Sequence, residues 1–238
     1  RTKPWSRTGI EPWAMTSGVT DIAASVPGLY VGTSGWSYPS WKPGFYPPEA
    51  KPAEFLSYYA ERLPSVELNT TGYRLPAEQQ FERWAAATPC GFRFAPKLNA
   101  HRLSEVGTFE ERAKLLGDRL GPIRVLVGSA RDEGFLKLLL DSIDPELRVA
   151  LDFRHDSWAG AELALPENAV CVNDVDAASS FRYVRLREPP YGNVELRAWA
   201  GRIRPLLEAG VDVYCYFRHE DEPTAPGYAT RLRELVAS

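Results

Sequence analysis

Glu67, Asp152 and His155 are residue types that exchange protons near neutral pH, and Lys97, Arg154 and Arg185 are types that neutralise an anion. Each lies at or just past the end of a short apolar run. Glu67 and Asn69 alternate with Val66 and Leu68, Asp152 and Arg154 with Leu151 and Phe153, and Arg185 and Arg187 with Val184 and Leu186. Lys97 shares the parity of Ala95, opposite Phe92 and Phe94. In a strand that alternation puts the polar residues on one face. Ser34 and Trp36 close an earlier run, and Asn173 and Asp174 a later one. A face that turns polar only at its end is suited to holding a small anionic or sugar-like ligand and passing protons to it. Interior ion pairs that serve packing alone are the competing reading. The weight goes to the ligand, because burying so many charges without one is costly. Lys97→Ala and Arg185→Ala are then expected to cost no more than the ~1 kcal/mol of a typical substitution.

These residues need a scaffold that turns several strand ends toward one place. Hydrophobic periodicity gives strands at 29–34, 66–69, 92–96, 124–127, 148–153, 169–172, 183–186 and 211–217. Helical patterns lie at 53–63, 77–87, 109–120, 133–142, 195–209 and 225–236, with at most a short helix between the fifth and sixth strands. Strands alternating with helices over about 210 residues predict an α/β fold, a single (β/α)8 TIM-like barrel of parallel strands. Its ligand would sit at the carboxyl ends of the strands. Alternate strands feed one interior layer, so Lys97, Arg154 and Arg185, from strands three, five and seven, are expected to ring one cavity. The first strand is followed by no G-x-G-x-x-G, and the chain has no P-loop, H-E-x-x-H or G-x-S-x-G pattern.

Composition narrows the partners. Lys and Arg total 28 against 31 Asp and Glu, a net charge of -3, so nothing global attracts nucleic acid or an anionic membrane. No run approaches the ~20 apolar residues of a membrane span, and three scattered cysteines make neither a disulfide framework nor a cysteine zinc site. A cytoplasmic location is expected. Residues 1–28 are read as a poorly ordered N-terminal extension, with Met15 as a start candidate, and 29–238 as the barrel domain. Trp36 and Trp158 are candidate ligand platforms that could equally be core aromatics.

The segments G-T-S-G-W at 32–36, E-L-N-T-T-G-Y-R-L-P at 67–76, F-R-F-A-P-K at 92–97, D-F-R-H-D-S-W at 152–158, Y-V-R-L at 183–186 and Y-C-Y-F at 214–217 occur in an order that resembles the YecE-like family, domain of unknown function 72. The resemblance implies a TIM barrel with a pocket at the strand ends, and it implies no reaction. Tyr73 joins the substrate-binding candidates within the second of these blocks. The chain departs from the family pattern at Gly72 (usually Phe), Asp152 (usually Glu), Arg187 and Glu188 (usually His-Gly), 128–132 and 218–221.

The expected function is therefore that of an enzyme, a hydrolase, lyase or isomerase, acting on a small anionic or sugar-like substrate. Glu67, Asp152 and His155 are its catalytic candidates. Ser34, Trp36, Asn69, Tyr73, Lys97, Arg154, Trp158, Asp174 and Arg185 are its substrate-binding candidates. A metal-assisted nucleic-acid-processing protein and a non-catalytic binding module are the alternatives. No cofactor is expected. A divalent metal on Glu67, Asp152, His155 and Asp174 would have to compete with three nearby cations.

Overall fold

The computed structural model describes residues 26–238, so the expectations for the N-terminal extension fall almost wholly outside the described residues. Eight parallel strands form one sheet in the order β6-β5-β4-β3-β2-β1-β8-β7. They are β1 (Leu29–Thr33), β2 (Ser65–Leu68), β3 (Arg93–Asn99), β4 (Ile123–Val127), β5 (Val149–Phe153), β6 (Ala169–Cys171), β7 (Phe181–Leu186) and β8 (Asp212–Phe217). β6 and β7 meet without a regular ladder. Instead the Asn173 N–H donates to Tyr183 O (2.8 Å) and the Arg185 N–H to Asn173 Oδ1 (2.7 Å), so one residue, by backbone and side chain, bridges the seam of a nearly closed TIM-like barrel. Asn173 holds φ 69° to do this, a left-handed conformation that Asn tolerates better than most residues.

The helices are α1 (Phe55–Ala60), α2 (Glu78–Ala86), α3 (Val106–Lys114), α4 (Glu133–Asp141), α5 (Asn193–Glu208) and α6 (Thr224–Ala237). As the pattern leaves room for, β5–β6 carries only a 3-10 turn, Asp156–Trp158, and β6–β7 no helix among the described residues. Trp158, Leu163 and Leu165 pack on the barrel where a helix would otherwise lie, and Asn173, Asp174 and Asp176 favour turns over a helix. α3 runs three residues earlier than its apolar pattern suggests and stops well before 120, with Gly117 (φ +55°) in the turn that follows. β3 continues past Pro96 because it changes neighbours there: Arg93–Pro96 pairs with β2 and Lys97–Asn99 with β4. A residue without an N–H is tolerated at such a handover.

Strand parity decides what is inside. Val184, Leu186, Val213, Cys215 and Phe217 face the helices in one cluster, and Val125, Val127, Val149 and Leu151 in another. Ala95, Ala150, Val170, Phe181, Tyr183, Tyr214 and Tyr216 fill the barrel interior. Phe94 and Leu151 are essentially fully buried on the outer face. Phe94→Ala and Leu151→Ala should each cost about 2 to 5 kcal/mol by chemical denaturation, as lost burial plus a cavity; wild-type-like unfolding would refute the facing. No helix among the described residues is long and apolar enough to cross a membrane.

Candidate functional site

Above the aromatic filling, the barrel interior becomes ionic. Glu67, pointing inward from β2, is 1 % exposed and is met on all sides. Its Oε1 accepts from the Tyr183 hydroxyl (2.7 Å) and lies 2.7 Å from Arg185 Nε and 3.7 Å from Arg124 Nε. Its Oε2 accepts from Ser34 Oγ (2.9 Å) and Arg185 Nη2 (3.0 Å). Arg185 therefore grips the carboxylate side-on, although its Nε–H is not well aligned for a hydrogen bond. Burial by itself would raise the carboxyl's pKa. The charges of Arg185 and Arg124, with hydrogen bonds from Arg185 and Tyr183, outweigh it and hold the carboxyl at about 2. Burial also pushes the Tyr183 hydroxyl well above the ordinary range, so it remains a donor.

Asp152, inward from β5, is shared differently. Its Oδ2 accepts from Arg124 Nε (2.8 Å), lies 2.6 Å from Arg124 Nη2, accepts from Arg154 Nη2 (2.6 Å) and makes a long contact with Arg185 Nη1 (3.5 Å). Every contact among the described residues uses that one oxygen. Arg124 also donates from Nη1 to Asn69 Oδ1 (3.2 Å), tying β2, β4 and β5 together. Glu67, Asp152, Arg124 and Arg185 are thus one buried network, with Ser34, Asn69, Tyr183 and Arg154 around it.

A cleft of about 230 Å³ opens beside this network, lined by residues 151–154 and 171–173 together with Arg185 and Arg187. Arg154, Arg185 and Arg187 line it against the single carboxylate of Asp152. Lys97 does not, contrary to the ring of three cations expected from alternate strands. Its side chain is buried on the β3 side, with Nζ 4.2 Å from the centre of the Tyr73 ring and no ion-pair partner among the described residues. The difference arises because Arg185 leans across to Glu67, while Lys97 is drawn toward the 3-10 turn after β2, Asn69–Gly72. Thr71 in that turn accepts the Lys97 N–H at 2.9 Å.

Other candidates do not converge. His155 is exposed, and its Nδ1 accepts the Ser157 N–H (3.2 Å), capping the 3-10 turn. Asp174 is exposed and accepts the Asp176 N–H (3.1 Å). Trp158 is buried, stacked on Phe153 (4.3 Å), with its Nε1–H given to Ser129 O. Trp36 meets Trp84 edge-on at 5.8 Å as part of the outer packing. Two members of the network, Arg124 and Tyr183, were not among the candidates. Their signal was present in the parity that found Glu67: Arg124 alternates with Ile123 and Val125, and Tyr183 shares the face of Arg185.

The small contribution to stability expected of Arg185 is at odds with its surroundings. The residue is 8 % exposed and bonded to both carboxylates, so its removal would strand buried charge. Among the described residues no three His, Cys, Asp or Glu side chains gather as metal ligands, and the lone pairs of Glu67 and of Asp152 Oδ2 are directed at guanidinium groups.

Neither the curated relatives nor the solved structures that follow carry an assigned activity in their names. UPF0759 protein YecE of Escherichia coli (strain K12) is 29 % identical over 143 residues, covering 55 % of this chain and 50 % of that protein. UPF0759 protein YunF of Bacillus subtilis (strain 168) is 28 % identical over 82 residues, covering 33 % of this chain and 28 % of that protein. These matches span half or less of the curated relatives' length. Two crystal structures of a DUF72 family protein (EF0366) from Enterococcus faecalis V583 superpose with TM-scores of 0.68 and 0.70 at 16 % identity. Each covers 88 % of this chain, and the superpositions span 98 % and 96 % of those chains, which supports the barrel fold. The family model described as protein of unknown function DUF72 matches residues 30–238, and the chain belongs to that family.

Proposed function

We propose that the chain is a small-molecule enzyme whose barrel mouth binds an anionic substrate, a phosphate- or carboxylate-bearing metabolite, in the cleft between β5 and β7. The observation that carries this reading is the charge imbalance of the cleft. Three guanidinium groups, Arg154, Arg185 and Arg187, line it with one carboxylate, and that carboxylate is also bonded to Arg124 from behind. Guanidinium forks match the planar or tetrahedral oxygens of such anions, often bidentately. Glu67 is saturated with donors and held ionised, which suits a counter-ion and not a proton carrier. Asp152 keeps Oδ1 free of partners among the described residues while Oδ2 is fixed by arginine. In this reading Asp152 Oδ1 is the group that exchanges a proton with the bound substrate. His155, turned into its own cap at the rim, has no part in it. The commitment of Glu67 and Asp152 Oδ2 to arginine disfavours the metal-assisted nucleic-acid reading.

Titration calorimetry with inorganic phosphate and sulfate at low and high salt tests the binding half. Anion binding that weakens with salt is expected, and Arg154→Ala should weaken it by roughly 1.5 to 3 kcal/mol, the range for hydrogen bonds to a charged group. Arg154 and Arg187 are the variants of choice because both are exposed, and only Arg154 touches the buried network, through Asp152 Oδ2. If no anion binds at low ionic strength, or the variants bind like wild type, the reading is wrong. Binding without turnover of any phosphorylated or carboxylated metabolite would leave a binding module.

A further inference from the structure

Resting on that reading of the arginine cleft, we infer that the mouth has a second subsite, built by Lys97, Asn99 and Tyr73, that takes a hydroxylated ring. The ligand is then a phosphorylated or carboxylated sugar-like polyol. Lys97 is 5 % exposed, and its ammonium lies over the Tyr73 ring. A cation over an aromatic face is attracted weakly and uses none of its three N–H donors, so the ammonium keeps them for a ligand at the mouth. Two residues on, along the same face of β3, Asn99 is also buried. Its Nδ2 donates to Gly72 O, and its Oδ1 has no hydrogen-bond partner. An ammonium that no carboxylate pairs among the described residues and a buried acceptor without a partner thus lie two residues apart on one face of β3.

That pairing identifies the chemistry. A carboxylate or the dianion of a phosphate ester offers only lone pairs, so it would satisfy Lys97 and be repelled by Asn99 Oδ1. A hydroxyl both donates and accepts, and meets the two together. Tyr73 adds the third element of polyol recognition, because it is 77 % exposed and presents an aromatic face to which the C–H side of a sugar ring can pack. The turn that carries it is fixed by Thr71, whose Oγ1 bonds both the N–H and the carbonyl of Lys97. Gly72 completes the fit. A Cβ there would lie 2.7 Å from Lys97 Cδ and 2.9 Å from its Cε, so only glycine leaves the lysine stem where it is. The subsite is on β3 and the arginine cleft begins at β5. Two strand spacings separate them by about 10 Å, a span that a sugar ring with one phosphate bridges.

Calorimetry on the wild type, Tyr73→Ala and Lys97→Met, with inorganic phosphate, ribose 5-phosphate, glucose 6-phosphate and the two unphosphorylated sugars, tests this. At least one sugar phosphate should bind the wild type about tenfold more tightly than phosphate, equivalent to ~1.4 kcal/mol. Tyr73→Ala should erase that advantage while leaving phosphate affinity within about twofold; its exposure means that folding is not at risk. If phosphate binds but the sugar phosphates gain nothing, or Tyr73→Ala weakens phosphate equally, the sugar subsite is refuted and the arginine cleft stands. If phosphate fails to bind while a sugar binds in a Tyr73-dependent way, the arginine reading falls and the subsite stands. Binding of none of the probes refutes both.

Discussion

Glu67→Gln should lower the unfolding free energy by about 3 to 5 kcal/mol, because it removes one carboxylate from a buried network that keeps its arginines. With Glu67 neutral, Asp152 alone must compensate Arg124, Arg154 and Arg185, and two of those guanidinium groups are almost wholly buried. The same group makes the protein acid-sensitive in a defined direction. The folded carboxyl titrates at about 2 against an ordinary value of 4.5, a gap worth about 3 kcal/mol. A lowered pKa means that this stability is fully present above the unfolded value. It drains as the pH falls from about 5 toward 2. Denaturant unfolding of wild type and variant at pH 7, 4.5 and 3 isolates the effect: the difference between them should be largest at pH 7 and shrink toward pH 3. A difference below ~1 kcal/mol at pH 7 would mean that water screens the network and that its ion pairs are as weak as surface ones.

The same parity that makes the network legible in the sequence also sets where legibility ends. Alternation of polar and apolar residues holds while the chain stays extended, so Glu67, Asp152 and Arg185, all inside their strands, fall where the pattern puts them. β5 ends at Phe153 and β6 at Cys171. Beyond those points the backbone turns, and His155 and Asp174 follow local hydrogen bonds to their own turns instead of the barrel axis. Lys97 is inward as its parity requires, but parity does not say where a long side chain ends. Its ammonium is placed by Tyr73 and by the space at Gly72, both on the neighbouring β2 turn. Arg124 shows the opposite failure: its inward position was readable, but a lone arginine between Ile123 and Val125 has no polar companion on its strand to suggest a site. The barrel itself was legible from eight apolar runs. The segments without a full helix were legible too, because neither 154–168 nor 173–180 carries a helical apolar period, and in the first Trp158, Leu163 and Leu165 cover the sheet from irregular backbone.

Gly32→Ala should be the most damaging Gly→Ala change among the described residues, with loss of soluble protein or a fall in stability beyond the ~1 to 3 kcal/mol usual for overpacking. Gly32 lies opposite Tyr216 of β8 and Ser65 of β2. Between β1 and β2 the Tyr59 hydroxyl reaches into the ladder, accepting the Thr33 N–H (2.9 Å) and donating to Ser65 O (2.9 Å). A Cβ on Gly32 would lie 1.8 Å from that same Ser65 oxygen and 2.9 Å from the Tyr59 hydroxyl. The first is backbone and the second belongs to a fully buried ring, so neither can move aside. The strands would have to part, and Ser34, just past the end of β1, would be pulled from Glu67, coupling the defect to the ionic network. Thermal melting should register a drop of about 10 °C or more if the variant folds at all, at 2 to 4 °C per kcal/mol for a domain of this size. Gly201→Ala is the control. It lies within α5 with open space around the added methyl, and should gain about 0.5 to 1 kcal/mol from helix propensity alone. If Gly32→Ala melts like Gly201→Ala, β1 and β2 are not held as closely as the Tyr59 bridge requires, and the position of Ser34 against Glu67 loses its support.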